Sequence, residues 1–131
     1  MTTDSPHEDG GPGVAFAQAL AAKDAGGMIA LLAPDIDFAA ITPGQYWESR
    51  DARSLIDETF FGEWLEPRDV VTSIVSVTTS SIGPREHAFY RLALTNPDGE
   101  FEVEQHAYFD VVDGRIAWLR ILCSGYQRVA D

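Results

Sequence analysis

The most regular hydrophobic pattern in the chain lies between Phe101 and Tyr126, FEVEQHAYFDVVDGRIAWLRILCSGY. Apolar and polar residues alternate through Phe101 to Val112 and again through Arg115 to Cys123, the period of two that a half-buried strand requires. Asp113-Gly114 between them suits a two-residue type I′ turn, whose central residues both take positive φ, so the segment reads as a long hairpin. Upstream, Val70 to Ile82, rich in Val, Ile, Thr and Ser, and Glu86 to Thr95 read as two more strands. Gly83-Pro84 separates these two, and Asn96-Pro97-Asp98-Gly99 separates the second from the hairpin.

The first half of the chain carries the helical period instead. From Val14, residues Phe16, Ala17, Leu20 and Ala21 share one face, and Gly26-Gly27 ends that helix and starts a short one holding Met28, Ile29, Leu31 and Leu32. Asp35 to Ile41 predicts a first strand, Thr42-Pro43-Gly44 a turn, and Tyr46 and Trp47 fall in a loop, as a lid on the core or part of a ligand wall. Ser49 or Asp51 can cap a longer helix in which Ala52, Leu55, Ile56, Thr59, Phe60 and Trp64 recur at three and four residues until Pro67. Residues 1–13, MTTDSPHEDGGPG, have no apolar periodicity and read as a flexible tail with a solvated His7, leaving 14–131 as a single domain.

Parity sorts the strands into dry and wet faces. Val103, Gln105, Ala107 and Phe109 are dry, opposite Glu102, Glu104, His106 and Tyr108; Ala88, Tyr90, Leu92 and Leu94 are dry, opposite Phe89 and Arg91. In the last strand Ala117, Leu119, Ile121 and Cys123 form the dry set. Gln105 is then a buried amide that needs hydrogen-bond partners or a ligand. Phe89, Tyr108, Trp118 and Leu122 give the outer face an aromatic patch, which predicts a homodimer through that face.

Composition narrows the partners. With 131 residues, 45% of them apolar and 11% aromatic, the chain can bury a core without staples. Its net charge of -12, with nine Lys and Arg residues, argues against nucleic acid and against an anionic membrane surface. Cys123 is the single cysteine, which excludes an intrachain disulfide. It reads as a small core hydrophobe. Three scattered histidines give no metal-ligand spacing, and no metal or cofactor is expected. No apolar run is long enough to span a membrane and no signal peptide is visible, so a cytoplasmic location is the expectation.

The order helix, short helix, strand, helix and long strands, with GGMIALLAPDIDF near the start and QHAYFDVVDGRIAWLRILCSGY at the end, resembles the nuclear transport factor 2-like superfamily in its SnoaL-like branch. The resemblance covers Val14 to about Tyr126. It implies an α+β cone-shaped barrel, a strongly curved antiparallel sheet wrapped around an N-terminal helical hairpin and one long helix, with a conical cavity between them. It places Phe16, Phe60, Trp64, Tyr90, Gln105 and Cys123 on the cavity wall, and Tyr46 and Trp47 at its mouth. Fold alone does not give function, since the superfamily includes isomerases, cyclases, hydrolases, dehydratases and binding proteins.

Matched to the isomerases, the chain has Ala40 where the family's carboxylate base stands and Phe16 where its tyrosine stands. Neither side chain can move a proton or donate a hydrogen bond. Cyclases and epoxide hydrolases carry an aspartate near the end of the last strand, where this chain has Ser124. The expectation is therefore a module that binds a small apolar or aromatic molecule. The alternative is a lyase (dehydratase), isomerase or cyclase acting on a cyclic or polyketide-like substrate through His106 as general acid and base, with His87 and Ser124.

Overall fold

The computed structural model describes residues 11–129. Alternation becomes a seven-stranded sheet in which β1 (Leu32–Thr42), β2 (Gln45–Ser49), β3 (Val70–Ile82), β4 (Arg85–Asn96), β5 (Gly99–Val112) and β6 (Arg115–Cys123) run in the order β2-β1-β6-β5-β4-β3. The two-residue β7 (Gln127–Arg128) pairs with β5. The sheet is curved and open. It is mixed and not wholly antiparallel as expected, because β1 joins β6 in parallel. Asp113 at φ 53° and Gly114 at φ 80° make the primed turn of the β5–β6 hairpin.

The helices cover the inner face. α1 (Gly11–Ala21) begins before Val14, with Pro12 in its first turn, where a missing N–H costs nothing. The rest of the expected tail, His7 included, lies outside the described residues. α2 (Ala25–Leu31) is capped by Asp24, whose carboxylate accepts from the Gly27 amide at 2.9 Å. The third helix starts with one α turn, Ala52–Ser54, capped by Asp51, and continues as a π-helix, Leu55–Trp64; together these form α3. Leu55, Ile56 and Phe60 are its buried residues, with Leu65 buried just beyond its end, and the Leu65 amide closes the helix by donating to the Phe60 carbonyl five residues back at 2.9 Å. Among the described residues no helix is long and apolar enough to cross a membrane.

Parity holds where the strands are regular. Ala88, Tyr90, Leu92 and Leu94 of β4 and Val103, Gln105, Ala107 and Phe109 of β5 are buried. It fails at a bulge in β6, where Asp110 pairs with Trp118 but Val111 pairs with Ile116. Ala117 is skipped, so Ile116 replaces it on the dry side with Leu119 and Ile121. Two similar irregularities in β3 let Val71, Ile74 and Val77, three residues apart, all pack on the core. Tyr46 and Trp47, expected in a loop, form the middle of β2, paired with Ile41 and Ala40 across the Pro43-Gly44 turn.

At the centre of the core Phe60 meets Phe16 and Phe38 edge to face, with ring centroids 5.7 Å away in each case, and Trp64 at 5.3 Å. The outer face is different in kind. Arg85 grips Asp110 through two 2.9 Å hydrogen bonds and lies over the Trp118 ring at 3.6 Å, and Arg120 approaches the same ring at 4.4 Å while bonding Asp37. Arg91 pairs with Glu104. Beside them His87 Nε2 lies 3.0 Å from His106 Nδ1, Ser80 Oγ lies 3.2 Å from His87 Nδ1, and Phe89 stacks on His106.

Burial, and then the neighbouring His106, holds the His87 imidazole below its ordinary value of 6.5. The folded state therefore takes up its proton at lower pH than the unfolded chain does. The stabilising contribution is complete above 6.5 and is lost as pH falls from there through the lower folded value. Melting temperature should thus drop between pH 7.5 and pH 5.5 more steeply in the native protein than in His87→Asn, as scanning calorimetry would record.

Candidate functional site

A cavity of about 490 Å³ opens between the inner face of the sheet and the helices. Leu20 of α1, Trp64 of α3, Leu92 of β4 and Val103, Gln105 and Cys123 of β5 and β6 make its wall, while Thr42, Pro43 and Trp47 of the first hairpin stand at one side of its mouth. The 65–69 loop and the segment Ser124 to Gln127 complete it. A mostly apolar concavity with few polar groups is the usual form of a small-molecule site.

Beside the cavity the pairing along β5 is interrupted. β6 pairs with β5 from Val112 back to Gln105, and β7 resumes pairing at Glu102 and Phe101. Between them, Ser124 closes the sheet: its amide donates to the Glu104 carbonyl and its hydroxyl accepts from the Glu104 amide, both at 2.9 Å. Gly125 then turns the chain toward the first hairpin at φ 75°, and a Cβ there would meet Pro43 at 2.8 Å, so only glycine fits.

A latch fixes the loop opposite. Asp69, only 3% exposed, accepts the Asn96 amide on Oδ1 at 2.9 Å. Its Oδ2 takes the Glu66 backbone N–H and the Tyr126 hydroxyl, each at 2.9 Å. Tyr126 also lies 2.6 Å from the Trp64 carbonyl. Lys23, left-handed at φ 53° after α1, reaches over to donate to the carbonyls of Glu66 and Asp69. Burial, reinforced by Asp69, pushes the Tyr126 phenol far above its ordinary value, so it serves as a fixed proton donor.

Inside, most polar groups are already engaged. The Trp47 indole donates to Thr42 Oγ1 at 2.8 Å, the Ser124 hydroxyl donates to the Gly125 carbonyl at 2.7 Å, and the Gly125 amide approaches Cys123 Sγ at 3.4 Å. The Gln105 side-chain oxygen accepts from the fully buried Tyr90 hydroxyl at 2.5 Å. Its amide nitrogen makes no hydrogen bond among the described residues, and the buried indole N–H of Trp64 has no partner either.

Trp47, Trp64, Gln105 and Cys123 thus line the cavity. Phe16, Phe60 and Tyr90 do not: they are sealed in the core behind it, and Tyr90 acts on the cavity only through Gln105. Tyr46 is also misplaced by the sequence reading. It is exposed on the outer side beside Asp37, Glu48 and Arg120 and donates to Glu48 at 3.1 Å, because alternation in β2 sends it opposite to Trp47. His106 and His87 stand on the outer face, away from the cavity, and Ser124 does not meet them. Ala40 and Phe16 are core residues. Among the described residues no three His, Cys, Asp or Glu side chains form a metal-ligand set.

Asp69 is the site residue that sequence reading missed. Glu66-Pro67-Arg68-Asp69 carries a turn signal, and its last carboxylate bonds the first residue's N–H, but its burial depends on Asn96 and Tyr126, 27 and 57 residues away.

Neither a family model nor a curated protein matches the chain in sequence. Solved structures match its fold. An NTF2-like protein from Burkholderia thailandensis superposes with a TM-score of 0.67 at 17% identity, covering 93% of this chain and 92% of that one. An LEH-like epoxide hydrolase from M. tuberculosis gives 0.62 at 20% identity over 86% and 80%. A candidate polyketide cyclase from Xanthomonas campestris gives 0.60 at 24% over 86% and 87%. The chain has the cone-shaped α+β fold of the NTF2-like proteins.

Proposed function

We propose that the protein binds a small apolar or aromatic molecule in the cavity walled by Trp47, Trp64, Leu92, Val103 and Gln105. The observation that carries this reading is the wall itself: a concave, mostly apolar surface around about 490 Å³ of space, with two indoles meeting edge to face at 6.0 Å. A core this rich in aromatics would close such a space if packing alone were at stake. A catalytic reading through His106 has no support from the geometry, since that imidazole lies on the other face of the sheet. Of the three carboxylates that border the cavity, Glu63, Glu66 and Asp69, the buried one, Asp69, spends both oxygens on the latch.

Selective binding to the folded state raises its stability by mass action. Neutral naphthalene-sized compounds at about 100 times Kd should therefore add about 2.7 kcal/mol, read as a rise in melting temperature. Val103→Phe, which fills the cavity from its wall, should fold and show no rise. A panel of such compounds that leaves the native protein's melting temperature unmoved would contradict the reading.

A second copy of the chain is the occupant we propose for the outer face. Ile41, Tyr108 and Leu122 are exposed there, Leu122 to 55%, and they adjoin Phe89 and Trp118. Charge favours a self-partner: the chain carries a net charge of -12, yet Arg85, Arg91 and Arg120 on this face are each paired with carboxylates. Two such faces can approach without unscreened repulsion. Sedimentation velocity at micromolar concentration should show a dimer for the native chain and a monomer for Leu122→Lys. A monomeric native chain would contradict this.

A further inference from the structure

We infer that the molecule held in the cavity is uncharged and presents a carbonyl-type oxygen to the side-chain amide of Gln105; this rests on the cavity being a ligand site. The orientation of that amide decides what it offers. Tyr90 is fully buried, and its hydroxyl hydrogen has one acceptor in reach, the Gln105 oxygen at 2.5 Å. Turning the amide round would leave the phenolic hydrogen buried and unpaired, at a cost that the present arrangement avoids. Burial also raises the Tyr90 phenol well above its ordinary value, so it keeps the proton it donates.

With its oxygen spent, Gln105 has its two N–H donors left. The residue is only 5% exposed and lines the cavity, and its nitrogen bonds nothing among the described residues. That nitrogen is open to the cavity, so its acceptor comes from whatever fills that space. The other polar groups of the wall do not compete for that role: Ser124, Thr42 and Tyr126 are held by the bonds described above, and the unpaired Trp64 indole N–H is itself buried, with no surface open to a ligand.

Charge at the mouth excludes an anion as the source of the oxygen. Glu63, Glu66 and Asp69 border the opening. Arg68, which also borders it, is taken by Asp98 at 3.0 Å and faces Glu66 at 3.9 Å. A carboxylate entering the cavity would lose its hydration and gain no cation. A cation would be drawn to the mouth, but inside it would meet N–H donors. What fits is a neutral ring system bearing a ketone, aldehyde, ester or amide oxygen.

Three matched naphthalenes test this by isothermal titration calorimetry on the full chain: 2-acetonaphthone, its isostere 2-isopropenylnaphthalene, in which a methylene replaces the oxygen, and 2-naphthoate. The ketone should bind about 2- to 12-fold more tightly than the isostere, the range that one net hydrogen bond supplies, and naphthoate more weakly than both. In the double variant Tyr90→Phe/Gln105→Leu both hydrogen-bonding partners become apolar together, which spares the core an unpaired group. There the ketone should fall to the affinity of the isostere. Equal affinities of ketone and isostere for the native chain, tightest binding of naphthoate, or a ketone preference that survives in the double variant would each overturn the inference while leaving the cavity as a ligand site. If none of the three binds the native chain, both readings fall.

Discussion

Phe60→Ala is expected to lower the free energy of unfolding by about 3–5 kcal/mol, the range for removing a fully buried phenyl ring. The upper part of that range applies here, because Phe60 is where the layers meet. It projects from α3 and contacts Phe16 of α1, Phe38 of β1 and Trp64 of its own helix. Its neighbours cannot collapse into the gap without losing those edge-to-face contacts. The helix cannot yield easily either, since the Phe60 carbonyl accepts the i+5 bond from Leu65 that ends the π-helix. Urea denaturation would measure the loss as a lower midpoint at an unchanged slope. Trp64, the next residue on that face, forms part of the cavity wall, so the variant should also weaken ligand binding.

Asp69→Ala should cost about 2–4 kcal/mol through a different mechanism: hydrogen bonds to a charged acceptor are worth more than neutral ones, and three donors lose a buried carboxylate together. The Asn96 amide and the Glu66 backbone N–H would be left unpaired, while Tyr126 can still donate to the Trp64 carbonyl. Tyr126→Phe alone should therefore cost less, and the two substitutions together less than their sum, because the hydroxyl has one hydrogen for two acceptors. Asp69→Ala also frees the loop that forms one side of the mouth. Ligand affinity should fall along with stability.

These two sites differ in how far the sequence reveals them. Phe60 stands out because a helical stripe needs an apolar partner, although the helix bonds each carbonyl to the fifth residue on, and a spacing of three and four does not distinguish an α-helix from a π-helix over so few turns. Strands β3 and β6 are legible to their ends, since Gly83-Pro84 and Asp113-Gly114 punctuate them. β2 is not: five residues after Pro43-Gly44 hold too little alternation to separate a strand from a loop. The bulge at Ala117 is silent as well, because Ile116 and Ala117 are both apolar and either could face inward.

The cavity was partly visible. Trp64 and Gln105 sit where periodicity puts them, and Gln105 stands out as an amide in a dry row. Phe16, Phe60 and Tyr90 look the same in sequence as wall residues, since burial in a core and burial beside a cavity select the same apolar side chains. Asp69, with partners on β4 and beyond β6, becomes visible only once the chain is folded.

A crystal structure of the chain grown with saturating 2-acetonaphthone tests the account most directly. The ring system should lie in the cavity against Trp47 and Trp64 with its oxygen about 2.9 Å from the Gln105 amide nitrogen, the normal length of such a bond. Density for the ketone on the outer face alone, with the cavity empty, would contradict it.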